Sequence, residues 1–297
     1  MEEIKALLQQ AVDRDATGGA EGPVILKGQY RKAMTHLSDA LTAELTPALV
    51  GPPGTGKTLI ARHFAKGQDR PFYWLTMDEG TRPAHLVGSF DPAKALQTGY
   101  NLDAFVPGPM LLAMIRGGIL LINEINRATE FLQNSLLEPL EERSTYVPHI
   151  GRIQAAEGFF ILFAMNPSEM AGTHRVSEAL RDRIKVWINL GYPEKSTELE
   201  IIRAHCPEAT LNEESLDRIH RLLSRSRKHE DIEVPASVRA GIAIARLAHS
   251  IAARDGKQIS VAELESAAEL VAPGSIKVRP GVNEKRLVES LIREVFR

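Results

Sequence analysis

Residues 51–58 read Gly51-Pro52-Pro53-Gly54-Thr55-Gly56-Lys57-Thr58, an order of residue types that can hold a chain of phosphates. Glycines let the backbone curl so that successive N–H groups point at phosphate oxygens, and a helix starting at the loop's end adds its positive N-terminal pole. Lys57 would then neutralise the β- and γ-phosphates, and the Thr58 hydroxyl would ligate Mg²⁺. All eight residues are expected contacts of a nucleoside triphosphate, ATP. The apolar segment 48–50 reads as a strand and 59–65 as a helix, the flanks this chemistry requires.

A second group of polar residues closes the apolar run Ile119-Leu120-Leu121-Ile122-Asn123-Glu124. Ligands of parallel sheets sit at the carboxyl edge of the strands, where these two side chains would stand. In a phosphate-loop enzyme an Asp at such a strand end holds the Mg²⁺ shell, and a following Glu orients the attacking water. Glu124 is present, but the Asp position holds Asn123. An amide oxygen still accepts a hydrogen bond from metal-bound water, yet it gives up an attraction of up to about 4 kcal/mol per charge pair. Weaker Mg²⁺ binding is expected. Segment 159–165 forms a further apolar run and ends in Asn166-Pro167, which puts Asn166 within reach of the γ-phosphate or the lytic water.

These residues need a frame. Short β-rich runs at 48–50, 72–76, 119–123, 159–165 and 185–189 alternate with helical patterns at 60–67, 109–115 and 130–143. The last has a cap at Thr129 and apolar Phe131, Leu132, Leu136, Leu137 and Leu140. This predicts an α/β fold, a parallel sheet with helices on both faces. After Gly191-Tyr192-Pro193 only helical patterns follow, at 196–205, 213–228, 236–253, 261–271 and 283–296. Two domains are expected: 1–191, nucleotide-binding with an N-terminal helical segment, and 192–297, a smaller all-helical lid.

Of 297 residues, 43% are hydrophobic and 25% charged, and the formal net charge is -2. No electrostatic bias marks the chain as a nucleic-acid binder. The longest apolar runs fall far short of the roughly 20 residues needed to cross a bilayer. The first residues mix both charge signs without a long apolar core, and Cys206 is the single cysteine. A cytoplasmic protein without disulfides follows, with Cys206 as a structural thiol. The nine histidines show no ligand spacing, so no metal beyond Mg²⁺ is expected.

Taken together, the ordered motifs resemble the AAA+ ATPases from about residue 26 to 271, and more narrowly their MoxR and dynein-related branch. The narrower likeness rests on Gly28-Gln29, 76–81 with 86–89, Asn123-Glu124-Ile125-Asn126-Arg127-Ala128, 134–143, 164–167 and 177–184. The resemblance implies that Asn166 is the sensor-1 residue and that Arg183 is the arginine finger offered to a neighbouring subunit, with Arg181 as its rival. It implies that Arg239 is the sensor-2 arginine of the lid. Segment 89–105 matches the branch's helix-2 insert and 144–152 its pre-sensor hairpin; Tyr100 and Phe105 in the insert read more readily as core than as exposed grips.

The implied function is ATP hydrolysis in a homo-oligomeric ring, six-membered in the family, that remodels, matures or activates a partner protein or metalloenzyme. A von Willebrand A domain protein is the implied partner. Two alternatives remain: a scaffold or switch that binds ATP but hydrolyses it weakly because of Asn123, and, less favoured by the charge balance, a nucleic-acid-directed motor.

Overall fold

The computed structural model describes residues 22–167, 175–254 and 256–296. They divide into one compact unit of Arg31–Pro52 with Gly56–Leu190, and another of 22–30, Pro53–Thr55 and the chain from Gly191 onwards. The N-terminal helical segment expected ahead of residue 22 lies outside the described residues.

The strands of the first unit are β1 (Thr46–Val50), β2 (Phe72–Thr76), β3 (Gly88–Phe90), β4 (Phe105–Pro107), β5 (Ile119–Asn123), β6 (Ser144–Val147), β7 (Gly151–Gln154), β8 (Phe160–Met165) and β9 (Ile184–Asn189). Five of them form one parallel sheet in the order β2-β5-β8-β1-β9. β8 is buried at all six positions and β5 at four of five. Successive strand residues face opposite sides, so a strand buried throughout is covered on both faces. Helix Lys57–Gly67 provides one cover through Phe64, whose ring lies 6.4 Å from that of Phe160. On the opposite face Ile161 and Phe163 join Met110, Met114 and Leu132 in a common core. Full burial of each such side chain contributes roughly 1.5–3 kcal/mol.

The helix expected over 130–143 is two short helices, Glu130–Asn134 and Leu137–Glu141. Pro139 has no N–H to offer the carbonyl four residues back, and its ring crowds that turn. The Ser135 hydroxyl also donates to the Leu132 carbonyl at 2.7 Å at the break. Phe131, expected on the apolar face, is 74% exposed; consecutive helical positions lie about 100° apart, and Leu132 takes the core side.

Two antiparallel ribbons flank the sheet, β3 with β4 and β6 with β7. Phe105 is buried as expected, whereas Tyr100 is 62% exposed. Its ring finds partners outside the core, stacking on His149 at 5.2 Å and meeting the edge of Phe90 at 5.2 Å.

The second unit contains helices Lys195–His205, Glu213–Lys228, Val238–Arg254, Val261–Val271 and Glu284–Phe296 around a core that includes Ile202, Ile219, Leu223, Ile244, Leu264 and Ile292. It is not wholly helical: β10 (Ile232–Val234) pairs with β11 (Lys277–Val278). Strands of three and two residues are too short to show a period in the sequence. Buried Glu198 is held by the Arg227 guanidinium and by His220 Nδ1 at 2.7 Å. No helix among the described residues is long and apolar enough to cross a membrane.

Candidate functional site

Three strands of the sheet end level with one another. Val50 of β1 pairs with Met165 of β8, and Asn123 of β5 pairs with Ala164. Gly51, Glu124 and Asn166 therefore leave the sheet along one carboxyl edge, where ligands of such sheets bind. The Gly51 N–H donates to the Met165 carbonyl at 3.2 Å, which fixes the start of the glycine-rich loop against β8. Gly54 and Gly56 have φ of 77° and 86°, left-handed values that a side chain disfavours. Gly56 gives helix Lys57–Gly67 no side-chain cap, and the positive pole of a helix N-terminus is a place where anions bind.

Lys57 is only 8% exposed. Its Nζ donates to the carbonyls of Gly51 and Pro52 at 2.7 and 3.0 Å and to Asn166 Oδ1 at 3.0 Å. Two of the residues singled out in the sequence thus meet directly. Asn166 is itself buried, and its carbonyl accepts a bond from Asn126 Nδ2 at 3.1 Å. Asn126 is 2% exposed, and its Oδ1 has no hydrogen-bond partner among the described residues.

Asn123, half-buried, donates through Nδ2 to Thr76 Oγ1 at 3.4 Å, a long bond that leaves Oδ1 as its acceptor. Glu124 adopts the left-handed conformation, φ 56° and ψ 40°. For a residue with a side chain this costs on the order of 1–3 kcal/mol and persists only where surrounding structure imposes it. Its carboxylate is ion-paired with Arg127 Nε. Thr58 is the second residue of helix Lys57–Gly67. Among the described residues no three His, Cys, Asp or Glu side chains are grouped to cage a metal. A hydroxyl from Thr58 and an amide oxygen from Asn123 are hard donors that suit Mg²⁺, an ion that keeps water and takes its remaining ligands from phosphate.

The two candidate fingers differ. Arg183 donates through Nε to Glu141 Oε1 at 2.6 Å and also contacts Asp182 and the Ala179 carbonyl. Arg181 is exposed, with its guanidinium 5.6 Å from the centre of the Trp187 ring. Both stand on helix Glu178–Arg183. Arg239 is the exposed second residue of helix Val238–Arg254 in the second unit, as Pro53, Gly54 and Thr55 also belong to that unit.

Composition and periodicity gave no individual role to Asn126, Arg127 or Gln133. The signal available was polarity out of place: a buried Gln133, 1% exposed, in a short helix otherwise inward-facing through Leu132. Only the fold shows what such an amide touches.

Comparison with known proteins agrees with this frame. The AAA domain family, dynein-related subfamily, matches residues 48–184. The gas vesicle ATPase GvpN of Haloferax mediterranei is 31% identical over 202 residues, 63% of this chain and 57% of that protein. GvpN2 of Halobacterium salinarum is 30% identical over 79% of this chain and 72% of its own length. The chaperone MoxR1 of Mycobacterium tuberculosis is 32% identical over 52% of this chain and 38% of its own. The chain thus spans little more than half of the Haloferax protein and about two fifths of MoxR1. Among solved structures, a point mutant of Thermotoga maritima RuvB superimposes with a TM-score of 0.54 at 19% identity, over 87% of this chain and 72% of that one, which supports the fold. With its phosphate loop, parallel sheet and following helical region, the chain belongs to the dynein-related, MoxR-like branch of the AAA+ proteins.

Proposed function

We propose that this protein hydrolyses ATP in a homo-oligomeric ring, six-membered as the family suggests, and uses the cycle to remodel or activate a partner protein or metalloenzyme in the cytoplasm. The observation that carries the reading is the meeting of Lys57 Nζ with Asn166 Oδ1 at 3.0 Å on the carboxyl edge, beside a helix N-terminus with no side-chain cap. Gly51 through Thr58 wrap the phosphates. Lys57 exchanges its loop carbonyls for phosphate oxygens, and Asn166, already within bonding distance of that ammonium, is set to orient the γ-phosphate or the water that attacks it. Glu124 accepts the proton of that water once its carboxylate is free of Arg127. Thr58 and Asn123 would hold Mg²⁺, which neutralises charge on the phosphates when bound.

Arg183, or Arg181 beside it, completes the site of a neighbouring subunit, where a cation supplied in trans accelerates phosphoryl transfer by about 10³ to 10⁵. Arg239 fills the sensor-2 role. A von Willebrand A domain protein is the partner the branch favours. The test is turnover: Mg²⁺-dependent ATP hydrolysis that rises per subunit with protein concentration and disappears in Glu124→Gln. Hydrolysis that survives Glu124→Gln, or a strict monomer with concentration-independent activity, refutes it.

Asn123 favours one second reading, a nucleotide-held switch with slow hydrolysis. Under it, the native protein binds ATP without turnover and Asn123→Asp creates turnover.

A further inference from the structure

Gln133 is 1% exposed, and among the described residues its side-chain hydrogen bonds run to the main chain of Ala128 just upstream and of Arg175 and Ser177 in a distant segment. Nε2 donates to the carbonyls of Ala128 at 3.0 Å and Arg175 at 3.4 Å, and Oε1 accepts from the Ser177 N–H at 2.7 Å. The orientation of the amide is settled by its neighbours, because a flip would set NH₂ against an N–H and an oxygen against two carbonyls.

The two sides of this bridge are unlike. Ala128 closes the turn that begins at Glu124, with the Arg127 N–H on the Glu124 carbonyl at 2.8 Å and the Ala128 N–H on that of Ile125 at 3.1 Å. Ser177 is the cap of helix Glu178–Arg183, its hydroxyl accepting from the Leu180 N–H at 3.3 Å. That helix carries both Arg181 and Arg183. The same stretch of chain grips the helix again at its far end, where Glu141 receives Arg183 Nε. The strained turn of Glu124 and the arginine helix are therefore joined through 133–141, with one amide as the joint at the cap.

We infer that Gln133 is a positioning residue that sets the arginine pair which each subunit offers to its neighbour, so that it acts on hydrolysis in the adjoining site more than in its own. This rests on the proposed ring with catalysis across the subunit boundary. In that ring, the conformation of one subunit's Glu124 turn reaches the next subunit's phosphate through Gln133 and the helix it caps.

Mixed rings test it. One subunit, the donor, carries Lys57→Ala, which removes its own site and keeps its arginines. The other, the acceptor, carries Arg181→Ala with Arg183→Ala, which keeps its site. Neither hydrolyses ATP alone, and mixing restores turnover at acceptor sites beside donor arginines. Gln133→Met, of similar volume but unable to bond, is then placed in one partner at a time.

The expected result is a loss of at least tenfold when the donor carries it and less than threefold when the acceptor does. Activity retained with the substitution in the acceptor also shows that the variant folds. Gln133→Glu, which keeps the acceptor for Ser177 and loses both donors, is expected to give the same asymmetry. Equal losses in the two partners, or a greater loss in the acceptor, overturn the inference while leaving the ring standing. Failure of the unsubstituted mixture to regain activity removes the ring and the inference with it.

Discussion

Replacing Asn123 by Asp places a carboxylate at the end of β5 at little structural cost. The Asn123 amide nitrogen makes one long bond, to Thr76 Oγ1 at 3.4 Å, and the Thr76 hydroxyl can instead donate to a carboxylate. Two unit charges 4 Å apart attract by about 1 kcal/mol in water and about 4 kcal/mol at the effective dielectric of a protein surface. Position 123 is half-buried, so the gain lies between those values, before the desolvation of the new carboxylate is subtracted. A net gain of about 1.4 kcal/mol is tenfold in affinity. Titrating free Mg²⁺ at saturating ATP should show the half-saturating concentration falling by about tenfold in Asn123→Asp, with an unchanged melting temperature. If the variant folds and hydrolyses ATP with the same Mg²⁺ requirement as the native chain, Asn123 does not stand in the metal shell.

Three further outcomes follow from the second unit. Arg227→Ala leaves the fully buried Glu198 carboxylate with His220 as its remaining named partner, and should cost about 3–5 kcal/mol in urea unfolding; a cost below 1 kcal/mol would contradict the buried pair. Ser260→Ala removes the cap of helix Val261–Val271 and should cost about 1 kcal/mol at neutral pH. The Ser260 hydroxyl, and after it the Ser260 N–H, holds the Glu263 carboxyl below its ordinary value. A value depressed in the folded state stabilises above the unfolded value and loses that stabilisation as pH falls through the folded one. The difference between native and Ser260→Ala should thus narrow in melts taken below the usual carboxylate range, and a constant gap would refute the pairing. Burial pushes the Cys206 thiol up, so a thiol reagent should label it at neutral pH only as the chain unfolds; rapid labelling of the native protein would place Cys206 outside the core.

The sheet was legible because its central strands β5 and β8 are buried on both faces. A run such as Ile119-Leu120-Leu121-Ile122 has no polar alternation to obscure it, and the polar residue that ends it marks the carboxyl edge. Helix breaks were harder to read. The periodicity of 130–143 runs straight through Pro139, and only a missing N–H and a bend at Ser135 divide it. β10 and β11 carry too few residues to leave a pattern.

Residue types and spacing alone made the glycine-rich loop Gly51–Thr58 legible, since its shape comes from local backbone geometry that neighbours in sequence create. They also determined that the usual carboxylate at position 123 is an amide. The tertiary structure decided what depends on distant partners. Lys57 meets Asn166, 109 positions away, because β1 and β8 run side by side. Gln133 reaches Ser177, 44 positions on, because the turn after β5 folds back beside the arginine helix. Backbone conformation propagates along the chain over a few residues, whereas hydrogen bonds across a core are set by which strands pair and where they end.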